Sequence, residues 1–440
     1  MTNIFKAKLF WLLSIAFIVT ASYAFIYRIH PVVDARAYDT IAINILAGNG
    51  FREQPELPIL FDTSITRAGP GYEYFLAGIY WLFGRHFEIV WLMQALLHVL
   101  TAYLLFLICK RLFPENGNTI GFIAAGIFAY HPDLIEISAM LMTETLYLFF
   151  TALVLWLFAL SYERTDSKLL ALVSGVVIAL ATLSRPMIAL YGFIFVALYL
   201  SRKHYRQAII FSFFAVLCMT PWIIRNYQIY AQFIPTTLIG EYNIWIGNRA
   251  GSTGGQIADG FNPATSYGEQ FGYLNFKEEA VRQTKTFIFE HPGEFTTITA
   301  KRFVRFFSVI RPMGFWFYQT GWKQATFVFT SLLAITLIFI AGVAGYIRAY
   351  REKLPAVWYW LAFAVLVPLP LIFSVVESRY RFGIYPLLAI FSAYFLYAFY
   401  HKQPNRIRLL FVSVICLGVI GLIDVVTFSD VILSHLRVLL

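Results

Sequence analysis

Directly after its first strongly apolar segment, the chain reads Val33-Asp34-Ala35-Arg36-Ala37-Tyr38-Asp39-Thr40-Ile41-Ala42 and continues through Ile45 and Leu46 to Gly48-Asn49-Gly50. Tyr38, Ile41, Ala42, Ile45 and Leu46 are spaced as one face of a helix. We expect this helix to lie on the membrane surface rather than to cross the membrane. Asp34 begins the helix and the glycines supply its stop. The stretch therefore predicts an acidic side chain at the membrane boundary.

Two interpretations of Asp34 are open at this point. Aspartate is a preferred N-terminal capping residue, because its carboxylate accepts hydrogen bonds from the first free amides of a helix. The other interpretation is that Asp34 is a catalytic base. The rest of the sequence favours the second interpretation.

The composition defines the class of protein. The chain has 440 residues, of which 59% are hydrophobic and 13% are charged. Soluble domains have about 25% charged residues, so we predict an all-α polytopic membrane protein. At roughly 20 apolar residues per span, about eleven transmembrane helices are expected, at Leu9–Ile29, Phe87–Leu112, Thr119–Tyr130, Thr143–Tyr162, Leu169–Ser184, Met187–Leu200, Ala208–Ile224, Phe327–Tyr346, Trp358–Phe373, Ile384–Phe399 and Leu409–Val426.

The basic residues predict the orientation. Lysine and arginine cluster in every second connection, and such connections stay on the cytoplasmic side. The N-terminus is therefore expected in the cytoplasm and, with an odd number of helices, the C-terminus outside. Much of the net charge of +10 lies in these cytoplasmic connections, where anionic lipid attracts it. The charge indicates no nucleic-acid partner.

Two predicted outer segments are too long to be turns, and we expect function there. Residues 30–86 contain the Asp34 helix and a second interfacial helix at Tyr74–Phe83. Residues 226–324 contain helix patterns at Phe276–Phe289 and Pro292–Phe307. We expect residues 1–440 to form a single transmembrane domain, with catalysis in the first outer segment and no separate C-terminal soluble domain.

Acidic residues near the outer membrane boundary are few. Glu144 begins an apolar span, where a carboxylate is costly unless it has a partner or a function. A helix-start carboxylate favoured by the helix dipole is the alternative. His131, Asp133 and Glu136 in the preceding connection are candidate metal ligands, although their spacing is not diagnostic of a metal site.

Several arginines lie where the topology rule does not favour them. Guanidinium groups hold phosphate through paired hydrogen bonds. Snorkelling of long side chains toward water accounts for some arginines at such boundaries. The candidates for an anion site that binds a lipid phosphate are Arg67, Arg185, Arg225, Arg379 and Arg381.

These residues together carry a resemblance to a known superfamily. The motifs, in chain order, are Asp34 to Ala42 with Gly48-Asn49-Gly50-Phe51, Arg67 to Gly71, Thr143-Glu144, Ser184-Arg185-Pro186, Pro221-Trp222 with Arg225-Asn226, Trp245 with Gly247-Asn248, and Arg379-Tyr380-Arg381. In this order the chain resembles the bacterial GT-C glycosyltransferases. Those membrane enzymes are similar to protein O-mannosyltransferases and to the lipid A aminoarabinose transferase.

The resemblance implies a GT-C fold and an inverting transferase that uses a polyprenyl-phosphate-linked sugar. It places a multi-pass enzyme in the bacterial inner membrane, with membrane lipids around it and a periplasmic active site. Asp34 and Glu144 take the positions of the two acidic loop residues. Further candidates for substrate binding lie in these motifs or directly beside them: Tyr38, Tyr72, Trp245, Asn248 and Tyr380. Many relatives have Asp-Glu where this chain has Asp34-Ala35, so a role for that glutamate is not carried over.

The expected chemistry fits that class. Transfer from a lipid phosphate needs a base for the acceptor hydroxyl and positive charge for the departing phosphate. Asp34 is the candidate base and the outer arginines are candidates for the phosphate. No cofactor is required by this scheme, although a divalent cation (Mg²⁺, Mn²⁺ or Zn²⁺) bridging phosphate and carboxylates is an equally sound arrangement.

Two other functions remain open. One is a non-catalytic flippase or transporter of lipid-linked sugars, and the other is a polymerase or ligase that uses lipid-diphosphate-linked glycans. The sequence leaves the sugar and the acceptor, whether lipid A, a glycan or a protein, undetermined.

Overall fold

A computed structural model describes residues 3–255, 262–311 and 321–429. Within these ranges the chain forms α-helices joined by short 3-10 helices and loops, without a β-strand. The helices are α1 (Asn3–Tyr27), α2 (Asp34–Leu46), α3 (Pro70–Phe83), α4 (Phe87–Leu112), α5 (Gly117–Ala129), α6 (Pro132–Ser138), α7 (Glu144–Glu163), α8 (Lys168–Ser184), α9 (Ala189–Ser201), α10 (Tyr205–Tyr230), α11 (Ile239–Gly247), α12 (Pro263–Phe271), α13 (Phe276–Glu290), α14 (Pro292–Phe307), α15 (Gly321–Arg351), α16 (Val357–Leu366), α17 (Pro368–Ile372), α18 (Tyr385–Tyr400) and α19 (Arg406–Thr427).

All eleven predicted apolar segments are helical, but they differ in length. In the described part of the chain, seven helices are long and apolar enough to cross a membrane. Helices α5 and α6 form a broken segment, bent by 59° between Ala129 and Pro132, that would make an eighth span. The remaining three segments are shorter apolar helices, Lys168–Ser184, Pro186–Ser201 and Val357–Ile372. The predicted class, an all-α polytopic membrane protein, is confirmed, with seven or eight full-length spans among the eleven apolar segments.

The spanning helices share one continuous apolar core. Small residues allow close approach of their backbones, as is common inside membranes. In α15, a Cβ added at Gly345 would lie 1.9 Å from the carbonyl oxygen of Phe391 in α18. Any larger residue at this position would therefore push the two helices apart.

The first outer segment contains the two predicted interfacial helices. Helix α2 begins at Asp34, and its apolar face buries Tyr38, Ile41 and Ala42 against the body of the protein. Helix α3 packs against α2 and starts four residues earlier than predicted, because Pro70 is well suited to the first helical position. Trp81 at the far end of α3 is 75% exposed. Exposed aromatic residues of this kind are typical of a membrane interface.

The second outer segment forms a smaller core of its own, built from the end of α10 and from α11, α12 and α13. Both helices predicted here are present, as α13 and α14. Residues 256–261 and 312–320 of the predicted segment lie outside the described residues, as do residues 430–440, where the C-terminus was predicted to be external.

A buried arginine joins α14 to the end of α11 and, at 3.4 Å, to the carbonyl oxygen of Ile372 in α17. Arg302 in α14 donates hydrogen bonds to the Asn248 side chain, at 3.0 Å, and to the carbonyl oxygen of Gly247. A Cβ at Gly247 would lie 1.8 Å from the carbonyl oxygen of Ser374. This close contact fixes α11 beside the turn that leads into the 3-10 helix Ser378–Ile384.

Candidate active site

Asp34 does not act as a helix cap. The capping position of α2 is Val33, which makes no side-chain capping bond. The Asp34 carboxylate instead faces two guanidinium groups, with Oδ2 2.7 Å from Nη2 of Arg379 and Oδ1 3.4 Å from Nη1 of Arg67. Its side chain is 25% exposed. The structure thus places a partly accessible carboxylate beside two of the predicted arginines.

Arg67 is oriented by a loop that the sequence did not single out. Its Nε and Nη2 atoms contact the Glu53 carboxylate at 2.6–2.8 Å. Asp62, which is buried, accepts hydrogen bonds from the backbone amides of Glu53, Gln54 and Ser64 and so shapes this loop. Glu53 is therefore held in place by backbone contacts and in turn fixes Arg67.

On the other side of the site, the buried carboxylate of Glu144 contacts two arginines. It is 1% exposed, and its Oε1 atom lies 2.6 Å from Nη2 of Arg185 and 3.8 Å from Nη1 of Arg379. Helix α7 begins at Glu144, whereas Arg185 follows the end of α8. One carboxylate thus positions two arginines from distant parts of the chain. Glu144 is not part of the wall of either of the two cavities described below, so its contacts point to a positioning role.

Among the described residues these side chains form one alternating network, which we call the ion-pair network. In spatial order it consists of Glu53, Arg67, Asp34, Arg379, Glu144 and Arg185. The three carboxylates and three guanidinium groups balance in formal charge. This arrangement holds the arginines in place before any anion binds.

The network borders a polar cavity of about 340 Å³, called here the Asp34 cavity. This volume lies at the lower end of the range for small-molecule sites. Its wall combines network residues with hydroxyl and amide groups of the outer segments. Members of this wall are Asp34, Tyr38, Thr63, Thr66, Arg67, Arg185, Tyr242, Asn243, Asn262, Thr265, Glu269, Tyr273, Arg379 and Tyr380.

A second cavity of about 410 Å³ adjoins the first and is more apolar; we call it the apolar cavity. Pro186, Met187, Leu190 and Leu371 contribute to its wall. Arg185 and Tyr380 line both cavities. A charged group at this shared wall would have a polar space on one side and an apolar space on the other.

Two of the predicted tyrosines, Tyr38 and Tyr380, line the Asp34 cavity. Tyr72 lies behind this wall, fully buried, with its ring edge-on to Tyr38 at 5.6 Å and its hydroxyl donating to Gln94 at 2.7 Å. Tyr72 therefore supports the cavity wall without facing the cavity.

Two predicted arginines lie elsewhere. Arg225 lines a separate, mostly apolar cavity and donates to the carbonyl oxygen of Phe51 at 3.2 Å. Arg381 is fully buried and donates to the carbonyl oxygen of Ser308 at 2.6 Å and to that of Arg311. Both guanidinium groups thus satisfy backbone carbonyls, and the structure does not bring them to the Asp34 cavity.

Trp245 and Asn248 are also away from the Asp34 cavity. Trp245 is buried in the core of the outer segment, 5.8 Å from the ring of Tyr267. Asn248 donates to the carbonyl oxygen of Phe373 at 2.9 Å and accepts from Arg302. Their contacts are those of packing residues.

The predicted metal ligands do not form a metal site. In the described part of the chain no group of three His, Cys, Asp or Glu residues is arranged to hold a metal ion. Glu136 bonds to Tyr23 of α1, Asp133 faces Ser331 and Arg381, and the His131 ring lies against Tyr385. The three side chains therefore point toward different neighbours. Asp34 and Glu144 face guanidinium groups, which also does not fit a cation site built from protein ligands.

Glu53 and the polar wall from α11 and α12 were not predicted from the sequence. Tyr242 donates or accepts a hydrogen bond with Thr265 at 2.9 Å, and Asn262 donates to the Tyr242 hydroxyl. Nothing in the local pattern marks these residues. The acidic bend at Glu53, close in sequence to Arg67, is the one signal that was present.

Burial raises the pKa of Asp34, but the positive charges of Arg379, Arg67 and Arg185 outweigh burial and hold the pKa below its usual range. Asp34 is therefore ionised at neutral pH. In this state it is a weak proton acceptor, because the same cations stabilise its negative charge.

Glu73 in α3 is a second acid that the sequence reasoning missed. It is fully buried, neither carboxylate oxygen has a hydrogen-bond partner in the described part of the chain, and burial raises its pKa to about 8. The unfolded chain releases this proton near the ordinary pKa, whereas the folded protein keeps it until about pH 8. The resulting stabilisation is complete below the unfolded pKa and is lost as pH rises through the folded pKa.

Glu73→Gln is therefore expected to flatten the fall in Tm that the wild-type protein shows between about pH 5 and about pH 9. Thermal unfolding of the purified protein across this pH range measures the effect. Glu56→Gln, on an exposed loop residue, is the matched control and should keep the wild-type slope. Equal slopes in wild type and Glu73→Gln would contradict the prediction.

About a third of the chain matches a known family model. Residues 67–224 match the family model described as dolichyl-phosphate-mannose-protein mannosyltransferase. This segment contains Arg67, Glu144 and Arg185 but neither Asp34 nor Arg379. No curated protein matches the chain at a significant level.

Solved structures match over nearly the whole chain. The oligosaccharyltransferase AglB from Archaeoglobus fulgidus, in complex with an inhibitory peptide and a dolichol-phosphate, matches with a TM-score of 0.54 and 14% identity, over 99% of this chain and 56% of AglB. The Archaeoglobus fulgidus oligosaccharyltransferase in complex with Zn and sulfate gives a TM-score of 0.52 and 14% identity, over 95% of this chain and 53% of that protein. The chain thus spans just over half the length of these proteins.

These matches establish the fold. The chain has the GT-C fold. This fold together with the family match in residues 67–224 confirms the resemblance to GT-C glycosyltransferases.

Proposed function

We propose that the chain is a membrane glycosyltransferase that moves a sugar from a polyprenyl-phosphate donor to an acceptor hydroxyl. The observation that carries the proposal is the position of Asp34, beside Arg67 and Arg379, at the edge of a polar cavity that adjoins an apolar one. The family match in residues 67–224 and the GT-C fold support it.

The donor spans the two cavities in this proposal. The polyprenyl chain enters the apolar cavity, the sugar occupies the Asp34 cavity, and the phosphate lies at their shared wall near Arg185 and Arg379. Hydroxyl and amide groups of Tyr242, Asn262 and Thr265 supply hydrogen bonds of the kind that sugars need.

The reaction is a displacement at the anomeric carbon. The acceptor oxygen forms a bond to that carbon as the bond to the phosphate oxygen breaks, with inversion of configuration. The acceptor proton passes to the Asp34 carboxylate. The lipid monophosphate leaves with the bonding electron pair, and Arg67, Arg185 and Arg379 stabilise its charge. Glu144 holds Arg185 and Arg379 in position.

In this proposal the chain is a multi-pass protein of the bacterial inner membrane and its site faces the periplasm. The basic connections support that orientation. The acceptor is a hydroxyl compound on that side of the membrane.

A transfer assay tests the proposal. Membranes with and without the protein are supplied with an extract of polyprenyl-phosphate sugars labelled in the sugar. We expect protein-dependent movement of label from the donor lipid to an acceptor, inhibited by dolichyl phosphate and not by dolichol. Label that crosses the bilayer while it stays on its original lipid would instead favour a flippase.

A further inference from the structure

In the ion-pair network the arginines are already paired with carboxylates, whereas a site prepared for phosphate would leave their guanidinium groups available. Arg67 is shared between Glu53 and Asp34, and Arg379 between Asp34 and Glu144. A phosphate that approaches these guanidinium groups meets carboxylates already in contact with them. Binding therefore requires an exchange of partners.

Asp34 is the carboxylate suited to exchange. The Glu144 side chain is 2% exposed and pairs with Arg185, whereas the Asp34 side chain is 25% exposed and lines the cavity. Glu53 is held by its own loop, through hydrogen bonds with Asp62 and Thr63. Losing Asp34 would leave Arg379 with Glu144 and Arg67 with Glu53, so neither arginine would be without an acid.

On the basis of the proposed function, we propose that the donor phosphate displaces Asp34 from Arg379 and Arg67, so that Asp34 opposes donor binding and becomes an effective base only after the donor has bound. The donor phosphodiester carries one negative charge, and its two free oxygens accept bidentate hydrogen bonds from arginine. It therefore competes well with a single carboxylate for both guanidinium groups.

Displacement changes the chemistry of Asp34. Once its two cationic partners turn to the phosphate, the carboxylate loses the charges that lower its proton affinity. It also comes to lie next to the negative charge of the donor phosphodiester, which raises its proton affinity further. The donor thus prepares the base that the acceptor needs, and the donor binds before the acceptor.

Removing the charge of Asp34 should consequently tighten phosphate binding. The full-length protein in detergent is titrated with dolichyl phosphate, and with dolichol as the probe that lacks phosphate. We expect Asp34→Asn and Asp34→Ser to bind dolichyl phosphate about tenfold more tightly than wild type. Arg36→Gln, an exposed change on the same helix, should bind as wild type does, and dolichol binding should not change.

Unchanged or weaker binding in both folded Asp34 variants would overturn the inference. Weaker binding in these variants, together with loss of wild-type binding in EDTA, would mean that Asp34 contacts the phosphate through a cation. Loss of transfer in Asp34→Asn without tighter binding would overturn the inference and leave the proposed function standing. Equal wild-type binding of dolichol and dolichyl phosphate would instead overturn the proposed function.

Discussion

Asp34→Asn is expected to reduce the rate of sugar transfer about a thousandfold, within the range that removal of a general base produces. The amide is nearly the same size as the carboxylate but does not accept the acceptor proton. It also still fits beside Arg379, which keeps Glu144 as a partner at 3.8 Å. The loss should therefore be in kcat, with the protein folded.

The measurement is initial-rate transfer by membranes that contain equal amounts of wild-type or variant protein. Arg36→Gln serves as the control on the exposed face of the same helix and should retain wild-type activity. Asp34→Glu, which restores a carboxylate with one more methylene group, should recover part of the rate. Full activity in Asp34→Asn would show that Asp34 is not the base.

Arg379→Lys has the second largest expected effect, a loss of about a hundredfold in kcat/KM for the donor, typical of a lost transition-state donor. The guanidinium of Arg379 contacts Asp34 through Nη2 and approaches Glu144 through Nη1. A lysine ammonium is a point charge and cannot bridge two partners and a phosphate in this way. The positive charge alone is thus not sufficient.

Arg381→Lys is the matched control from the same 3-10 helix. Arg381 donates to backbone carbonyls of Ser308 and Arg311 and lies away from the Asp34 cavity. We expect this variant to lower Tm while the folded fraction keeps its KM for the donor. The same loss of kcat/KM in both variants would contradict the distinction between the two arginines.

Periodicity and composition were sufficient to predict much of the fold. Helix α2 begins at Asp34, and α13 and α14 match their predicted patterns within a residue at each end. The number of full spans was harder to predict, since a segment such as α5 and α6 is apolar over its length yet bends between Ala129 and Pro132. Composition does not report such a bend.

The site was predictable in part, for a physical reason. Position near the membrane boundary identified Arg67, Arg185 and Arg379, which the structure brings to Asp34. Arg225 and Arg381 share that depth but point to other neighbours. Depth follows from hydropathy, whereas the direction of a side chain depends on tertiary packing. The polar wall at Tyr242 and Asn262 depends on that packing even more.

The segment Ser378–Ile384 illustrates how direction is set. A 3-10 helix has three residues per turn, so Arg379, Tyr380 and Arg381 leave the backbone about a third of a turn apart. Arg379 contacts Asp34, Tyr380 lines both cavities, and Arg381 donates a hydrogen bond to the backbone just after the end of α14. Inserting or deleting one residue just before this segment would change the directions of all three side chains together. The length of this segment and the residue at which it begins, more than any single side chain, determine which of its residues face the active site and which pack against the backbone.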